Sequence, residues 1–460
     1  MLSRRNFTNR SLASFLLTAL PSVVFAKNKI INYKLSAEKS KFNFDKNFTS
    51  DLWLYNHENP GPLLKANKGD ILKVNFTNNL DEPTSIHWHG IKNLNKMDGV
   101  PYLTQDPIQP GETFEYEFPL NHSGTYWYHA HFDSWKQVAK GLYGPLIIHD
   151  KNDNYFEDDI VIIADDWRLN KEYQIDEKSF GSIMDWSHAG RIGNWLTING
   201  RKTPEYNIKT NSHVRLRFIN SSNARILKFN SDLTKNTIIA VDGSPIKPID
   251  VENFALGPGQ RVDLAINTGN KTNIKFFEVS NSKPLKIFSL NINKKSLISN
   301  LSKKYVYKIW HKIPSLKNSK TFNIHMQGGA MGNLSKAKIN GIEKNFRTLA
   351  FEDRKLWAFN KNIGGYDHLI AKVAKNDVVV FNVWNDSRWP HTMHLHGTHF
   401  FVKSKEFIKE TEYILRDTYL MQPGEKSKLI FIADNPGKWL FHCHMLEHAA
   451  SGMAGYIDVV

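Results

Sequence analysis

The residues best suited to chemistry are concentrated near the carboxyl end, in residues 439–453. This segment contains Cys443, the only cysteine of the chain, between His442 and His444, and His448 follows five residues later. Thiolate, imidazole and thioether groups are the soft and borderline ligands that copper prefers. A lone cysteine is often just a small buried apolar residue, but three histidines within seven residues favour a metal site.

The spacing around Cys443 predicts two metal sites rather than one. The aromatic-rich residues before the cysteine are typical of a β-strand. Because neighbouring side chains of a strand point to opposite faces, Cys443 faces one side, and His442 and His444 face the other. His391 lies at an odd offset, three residues before His394, and is therefore expected on the Cys443 side. The two sites would lie back to back, joined through the cysteine.

The Cys443 side has the composition of a blue-copper site. His391, Cys443 and His448 form a trigonal His₂Cys set, and Met453 supplies a thioether for the weak axial position. This donor set is typical of copper electron-transfer centres. The sequence therefore predicts a one-electron copper site here.

The opposite side is supplied by histidine pairs of the form His-x-His. The chain contains four of them, at 87/89, 129/131, 394/396 and 442/444. On a strand, residues i and i+2 share a face, so each pair presents two imidazoles in one direction. One pair could be an ordinary surface feature, but four indicate a shared site. Imidazoles suit copper, zinc or iron, and the adjoining thiolate site favours copper.

The histidine pairs lie in two copies of one sequence plan. Four matching landmarks in the same order indicate an internal repeat. A degenerate third copy between them has Ser221–Ala224 in place of histidines, so we expect it to keep the fold without a metal. The landmarks are Lys68-Gly-Asp, His87-Trp-His-Gly, Gln109-Pro-Gly-Glu and His129-Ala-His in the first copy, and Lys375-Asn-Asp, His394-Leu-His-Gly, Gln422-Pro-Gly-Glu and His442-Cys-His in the last.

The strands that carry these motifs predict an all-β chain. Short alternating segments are separated by turn signals about every 8–12 residues, as in sandwiches and barrels. The length of 460 residues is typical of about three domains. We expect domains at 27–150, 155–300 and 315–460, with Asn291 to Lys320 as the linker into the last one.

Composition excludes several other classes of protein. The net charge of +15 comes mostly from dispersed lysines, and because no nucleic-acid motif accompanies it, we expect no nucleic-acid partner. No apolar run reaches the roughly 18 residues of a membrane span. Residues 1–26 combine Arg4-Arg5, a short apolar region and a small-residue site ending at Ala26, which predicts a twin-arginine export signal. The alternative is a general secretory signal; both predict a periplasmic or otherwise exported protein.

The motifs together resemble those of the three-domain multicopper oxidases, the family of laccases, ascorbate oxidase and bacterial cuprous oxidases. The resemblance covers the mature chain through H-W-H-G, H-A-H, H-T-M-H-L-H and H-C-H-M-L-E-H-A-A-S-G-M. It implies three cupredoxin-like Greek-key β-sandwich domains and four copper ions. The implied ligands are His391, Cys443, His448 and Met453 for type 1, His87 and His394 for type 2, His89, His129 and His444 for one type 3 copper, and His131, His396 and His442 for the other.

The resemblance also implies a mechanism. Single electrons from a reducing substrate would pass from the type 1 copper through Cys443 to the three-copper cluster, where O₂ becomes water. Asp98, eleven residues after His87, matches a family acid that helps deliver protons; its alternative role is in the Asp98-Gly99 turn. Ala449 stands where some cuprous oxidases carry a second acid, and Glu447 lies on the other side of His448.

The substrate is the least determined part of the prediction. The chain has no methionine-rich insertion, which favours laccase-like oxidation of phenols or other one-electron donors. The alternative is a cuprous oxidase, for which His325-Met326 and Met331 are candidate Cu(I) ligands. For this glycine-rich stretch we expect instead a flexible loop at the entry to the last domain. A copper-free structural relative is a third hypothesis, opposed by the complete ligand set. We expect a monomer.

Overall fold

The computed structural model describes residues 28–45, 48–150, 155–294, 305–403 and 412–460. The predicted export signal, residues 1–26, lies outside this part of the chain. Strands dominate the described residues, and within them no helix is long and apolar enough to cross a membrane. The α-helices are short: α1 (Ser134–Gln137), α2 (Ile183–Ser187), α3 (Phe346–Phe351) and α4 (Leu446–Ala450).

The first part of the chain forms two four-stranded sheets, in the orders β2-β1-β4-β6 and β3-β8-β7-β5. The alternation seen in the sequence is preserved, because Leu72, Val74 and Phe76 of β4 are all buried between the sheets. The strands are β1 (Ile30–Asp45), β2 (Phe48–Tyr55), β3 (Leu64–Asn67), β4 (Ile71–Asn78), β5 (Ile86–His89), β6 (Thr113–Pro119), β7 (Gly124–Ala130) and β8 (Tyr143–His149).

The middle part pairs a six-stranded sheet, β10-β9-β12-β17-β14-β15, with a five-stranded sheet, β11-β19-β18-β13-β16. Its core is aliphatic and phenylalanine-rich. The strands are β9 (Asp158–Trp167), β10 (Trp195–Ile198), β11 (Glu205–Lys209), β12 (His213–Asn220), β13 (Leu227–Ser231), β14 (Asn236–Val241), β15 (Ser244–Val251), β16 (Asn253–Leu256), β17 (Arg261–Asn267), β18 (Asn273–Glu278) and β19 (Leu285–Lys294).

The last part again pairs two large sheets, β23-β20-β25-β30-β27-β28 and β24-β32-β31-β26-β29, with a small β21-β22 hairpin. The strands are β20 (Lys320–Gly328), β21 (Lys336–Ile339), β22 (Ile342–Asn345), β23 (Trp357–Phe359), β24 (Leu369–Val373), β25 (Val378–Asn385), β26 (His391–Leu395), β27 (Phe400–Lys403), β28 (Tyr413–Arg416), β29 (Thr418–Met421), β30 (Lys426–Ile432), β31 (Gly437–Cys443) and β32 (Ala454–Val459).

Three successive sheet pairs confirm the predicted all-β fold of cupredoxin-like sandwiches. The repeat is visible in the strand register as well. In the first part β5 pairs with β7 so that His87 lies opposite His129, and in the last part β26 pairs with β31 so that His394 lies opposite His442. The same local structure therefore brings two histidine pairs together in each outer part.

Two local expectations differ from the structure. Strand β19 runs to Lys294, so the start of the predicted linker belongs to the middle sheets. His325 and Met326 lie within strand β20 rather than in a loop, and Met326 is completely buried in the core. Met326 therefore does not serve as a Cu(I) ligand at the surface. Met331, by contrast, is 70% exposed.

Candidate metal centres

Three of the four predicted ligands on the Cys443 side, His391, Cys443 and His448, converge at one point. His391 begins β26, Cys443 ends β31 and His448 lies in α4. The Cys443 Sγ lies 3.6 Å from His391 Nδ1 and 3.8 Å from His448 Nδ1, and these two nitrogens are 3.0 Å apart. Met453 is buried in the same core, and its backbone oxygen accepts a 3.0 Å hydrogen bond from the Cys443 N–H.

The far nitrogens of the two imidazoles have fixed partners. His391 Nε2 lies 2.9 Å from Ser387 Oγ, which itself donates to Asn385 Oδ1 at 2.7 Å and so accepts from the imidazole. His448 Nε2 donates to the backbone oxygen of His188 at 2.8 Å. With the proton held at Nε2, each imidazole turns an unprotonated Nδ1 toward Cys443.

Burial sets the charges of this group. It raises the pKa of the Cys443 thiol to about 12 and lowers the pKa of His448 to about 4. The isolated pocket therefore holds a neutral thiol and neutral imidazoles. A bound cation reverses this balance at the sulfur, because metal ligation stabilises the thiolate and releases its proton.

The opposite face of β31 belongs to the eight paired histidines, none of which is more than 3% exposed. Four strands supply one pair each. Strand β5 contains both histidines of its pair, whereas in β7, β26 and β31 the second histidine is the residue that directly follows the strand. Ligand atoms within 4.8 Å of one another form the groups His87/His89/His394, His89/His129/His444, His131/His396/His442 and His87/Asp98/His396. The structure thus brings the four pairs predicted from the sequence to one site.

Hydrogen bonds orient the imidazoles toward a common centre. A carbonyl oxygen can only accept a hydrogen bond, so an imidazole whose Nδ1 lies against a carbonyl oxygen must carry its proton on Nδ1. In the neutral imidazole, Nε2 is then unprotonated. Four imidazoles donate in this way: His87 to Asp98 O at 2.8 Å, His129 to Ala130 O at 3.0 Å, His394 to Asp417 O at 2.9 Å and His442 to Cys443 O at 2.8 Å.

Several of the inward nitrogens have no partner at all. His89 Nδ1, His129 Nε2, His131 Nε2 and His444 Nε2 are buried without a hydrogen bond. Buried polar atoms are rarely left unpaired unless an ion or water completes them. Burial also lowers the pKa of His129 well below its usual range, so the ring is neutral and its lone pair is available. This donor set fits metal ions bound by neutral imidazoles.

Asp98 touches this cluster directly. Its Oδ2 accepts from His396 Nδ1 at 2.8 Å, and its Oδ1 lies 3.4 Å from His87 Nδ1. The carboxyl group is completely buried, and Oδ1 has no hydrogen-bond partner. One carboxylate oxygen therefore orients an imidazole, while the other has no hydrogen-bond partner.

A cavity of about 450 Å³ lies beside this face. Its lining includes His131, His442, Ala449 and Tyr366. The Tyr366 hydroxyl lies 3.3 Å from the backbone oxygen of His131. The cavity therefore borders two of the eight paired imidazoles.

Comparison with known proteins decides the family. Models of multicopper oxidase domains match residues 36–153, 158–297 and 339–460. The chain is 32% identical to a multicopper oxidase from Staphylococcus haemolyticus over 445 residues, covering 93% of this chain and 88% of that protein. The chain belongs to the multicopper oxidase family. It is therefore an oxidoreductase, and family membership implies copper.

Two further relatives of the present chain carry more specific names. It is 26% identical to Laccase-1 of Cryptococcus neoformans, covering 90% of this chain and 77% of that one. The solved structure of a Campylobacter jejuni multicopper oxidase, described as a metallo-oxidase, is 27% identical with a TM-score of 0.78, covering 94% of this chain and 91% of that one.

Sequence reasoning missed the groups that hold the ligands of this multicopper oxidase in place. Ser387, His188, Asp417 and Thr418 each bond to a candidate ligand, yet none belongs to a repeated motif. Ser387 precedes His391 by only four residues, and this closeness in the sequence could have pointed to it. The others come from distant parts of the chain, and only the fold places them beside the histidines.

Proposed function

We propose that the protein is a four-copper oxidase that takes single electrons from a reducing substrate and reduces O₂ to water. The observation that carries the proposal is the pair of donor sets on opposite faces of β31. Cys443 belongs to one set and its chain neighbours His442 and His444 to the other, with ligand atoms of each group within 4.8 Å.

The ligand assignment is the one that the family resemblance implies, and the groups of neighbouring ligand atoms support it. His391, Cys443, His448 and Met453 would hold the type 1 copper. The other residues would hold the cluster: His87 and His394 the type 2 copper, His89, His129 and His444 one type 3 copper, and His131, His396 and His442 the other.

Bound copper would supply one-electron redox chemistry at both centres. The chain joins the two centres by the shortest covalent route available, because Cys443 is bonded directly to His442 and His444. A hydrogen bond shortens one branch further, since His442 Nδ1 donates to the Cys443 backbone oxygen at 2.8 Å. The protein thereby fixes the distance that electrons cross.

Asp98 would hold and deliver a proton during O₂ reduction. Its Oδ1 has no hydrogen-bond partner, and a carboxylate oxygen of Asp98 lies within 4.8 Å of ligand nitrogens of His87 and His396. A positioned acid of this kind contributes about 10²–10⁴-fold to a proton-transfer step. The 450 Å³ cavity at His131 and His442 offers a route for O₂ and water.

For the donor, we propose laccase-like oxidation of phenols and other one-electron reductants. His448 has no exposed surface, and its Nε2–H is bonded to the His188 carbonyl. A donor would therefore dock on the segment around His188 and pass its electron through this hydrogen bond. Such outer-sphere entry demands little of donor shape, and similarity to a laccase supports it.

Cu(I) is the second candidate substrate, favoured by two methionines beside the same entry point. Met184 is 61% exposed, and its backbone oxygen accepts from the His188 N–H at 3.1 Å. Met331 is 70% exposed, and the preceding Ala330 N–H donates to Ser187 O at 2.7 Å. Thioethers are suitable Cu(I) ligands, and similarity to a metallo-oxidase supports this candidate.

Metal analysis combined with oxygen uptake tests the proposal. After reconstitution we expect about four coppers per chain, as the family resemblance implies, and four electrons consumed per O₂. A protein that holds far less copper, or that releases hydrogen peroxide as its main product, would contradict the four-copper oxidase.

The two donors are separated by the ratio of kcat/KM for dimethoxyphenol and for Cu(I), measured as oxygen uptake. The double variant Met184→Leu/Met331→Leu should raise KM for Cu(I) only if Cu(I) is the substrate. The phenol provides the internal control, because leucine preserves the apolar surface. A clear preference of the unaltered protein for Cu(I) would reverse our ranking.

We also propose that the protein is exported through the twin-arginine signal in residues 1–26 and acts as a monomer. Replacing Arg4 and Arg5 by lysines should leave the protein in the cytoplasmic fraction, whereas a general secretory signal would tolerate the change. Light scattering of the exported protein measures its oligomeric state.

A further inference from the structure

The dipeptide Asp417-Thr418 bonds to two imidazoles that come from different parts of the chain. Thr418 Oγ1 lies 2.9 Å from His89 Nε2 and 3.0 Å from His394 Nδ1. The Asp417 backbone oxygen accepts from His394 Nδ1 at 2.9 Å, and its Oδ1 lies 3.3 Å from His89 Nε2. The Thr418 hydroxyl donates to Asp417 Oδ1 at 2.7 Å and so accepts from His89.

These bonds select one tautomer for each ring. With its proton on Nε2, His89 leaves Nδ1 unprotonated, and that atom is buried without a partner. With its proton on Nδ1, His394 leaves Nε2 unprotonated, 3.4 Å from His87 Nε2. A partner on the far nitrogen fixes both the tautomer and the ring orientation of a metal-ligating histidine.

The Asp417 carboxylate is in turn held by Arg261 of the middle part. Arg261 Nη1 and Nη2 donate to Asp417 Oδ1 and Oδ2, both at 2.6 Å. Arg261 also donates to Thr125 O at 3.1 Å and Gly259 O at 3.2 Å, and neither member of the ion pair is exposed. Bidentate pairing gives a carboxylate a defined orientation as well as a charge partner.

Two glycines leave room for this arrangement. A Cβ on Gly90, which follows His89, would lie 2.4 Å from Arg261 Nη2 and 2.7 Å from Asp417 Oδ2. A Cβ on Gly259 would lie 3.0 Å from ring atoms of both His444 and His89. The middle part therefore packs its backbone and its arginine directly against the histidine cluster.

We propose that Arg261 is a positioning residue for the copper cluster. Through Asp417 and Thr418 it holds His89 with Nδ1, and His394 with Nε2, directed at the ions. The middle part carries none of the candidate ligands, yet it determines the geometry of two of them. This inference rests on the proposed copper oxidase.

Arg261→Lys tests the proposal, with Arg217→Lys as the matched control. Arg217 lies in the same sheet, is buried, and donates to Asp159 Oδ1 and Oδ2 at 2.6 and 2.7 Å, but it bonds to none of the eight imidazoles within the described residues. Lysine keeps the charge and loses the bidentate geometry. Both variants should lower the melting temperature of the metal-free protein.

Only Arg261→Lys should alter the cluster. We expect an altered type 2 electron paramagnetic resonance signal and copper affinity at the cluster weakened by about 10–100-fold, the usual cost of losing a ligand's supporting partner. The blue absorption of the Cys443 site should be unchanged. If both lysine variants, or neither, changed the type 2 signal, the inference would be overturned.

Thr418→Val and Thr418→Ser add a second test that leaves the ion pair intact. Valine removes the oxygen that lies against His89 Nε2 and against Nδ1 of His394, the proposed type 2 ligand, whereas serine keeps it. We expect the altered type 2 signal with valine and its recovery with serine; an unchanged signal with valine would contradict the inference. If the unaltered protein itself shows no type 2 signal after copper loading, the proposed function fails, and the inference that rests on it fails with it.

Discussion

The two faces of strand β31 differ in how many parts of the chain supply their ligands and supporting residues. On the Cys443 face, His391 and His448 come from the same part of the chain as the cysteine. Among the described residues, the only hydrogen bond that joins one of these three side chains to the middle part runs from His448 to the His188 carbonyl. On the His442 face, the imidazoles come from the first and last parts, and Arg261 of the middle part supports two of them. The proposed site of electron entry is thus a local structure, whereas the proposed O₂-reducing cluster draws on all three parts of the chain.

The largest effect should follow from removing the residue that both faces share. Cys443→Ser replaces the soft sulfur ligand by a hydroxyl that remains protonated, so the copper–thiolate bond cannot form. We expect the blue absorption and the oxidation of every donor to be abolished. Type 2 copper should persist in electron paramagnetic resonance spectra, because the eight imidazoles are unchanged. Retained blue colour would disprove our assignment of the thiolate ligand.

The second prediction affects the His442 face alone. Asp98→Asn keeps an oxygen for the His396 Nδ1–H but cannot hold a transferable proton. The rate at which O₂ reoxidises the reduced enzyme should fall by about 10²–10⁴-fold. Stopped-flow reduction of the blue copper by substrate should proceed at the unaltered rate. Asp98→Glu is the control, since it restores an acid and should recover part of the reoxidation rate.

If Asp98→Asn slowed both half-reactions equally, the carboxyl would act on the structure of the site rather than on proton delivery. If it slowed neither, the acid would have no part in O₂ reduction. Copper content per chain, measured alongside, separates these results from simple loss of metal.

Groups on the two faces should limit the stability of the metal-free protein at opposite ends of the pH range. Burial lowers the pKa of His442 to about 4, against about 6.5 in an unfolded chain. The unfolded state then binds more protons, and stability is lost as the pH falls from about 6.5 to 4. Burial raises the pKa of the Cys443 thiol to about 12, so stability is lost as the pH rises from about 8.5 toward that value.

Denaturant unfolding of the metal-free protein across this pH range measures both limits. Each unit of pKa shift corresponds to about 1.4 kcal/mol. In a plot of the free energy of unfolding against pH, Cys443→Ala should reduce the fall at alkaline pH. The fall at acid pH should remain, because the histidines produce it. If Cys443→Ala left the fall at alkaline pH as steep as before, the loss of stability would come from other groups, such as the buried tyrosines.

The ligands on the two faces could be predicted from the sequence, whereas most of the residues that support them could not. Strand parity placed Cys443 opposite His442, and the repeat brought the histidine pairs together, because both depend on local periodicity. The supporting partners could not be predicted in this way. Arg261 lies 156 positions from Asp417, and the pair forms only when the middle and last parts dock. Met326 was misjudged because a methionine followed by glycines suggested a loop, whereas its strand buries it.

The smallest effect should come from the outer partner of a ligand on the Cys443 face. Ser387→Ala leaves the buried His391 Nε2–H without its acceptor, which costs about 1–3 kcal/mol. Because an acceptor on the far nitrogen raises ligand basicity, its removal should raise the type 1 reduction potential modestly and keep the blue colour. Ser50→Ala, at an equally buried serine bonded to Tyr173 O, is the control. A change in the type 2 signal of Ser387→Ala would show that the two faces are less independent than their contacts imply.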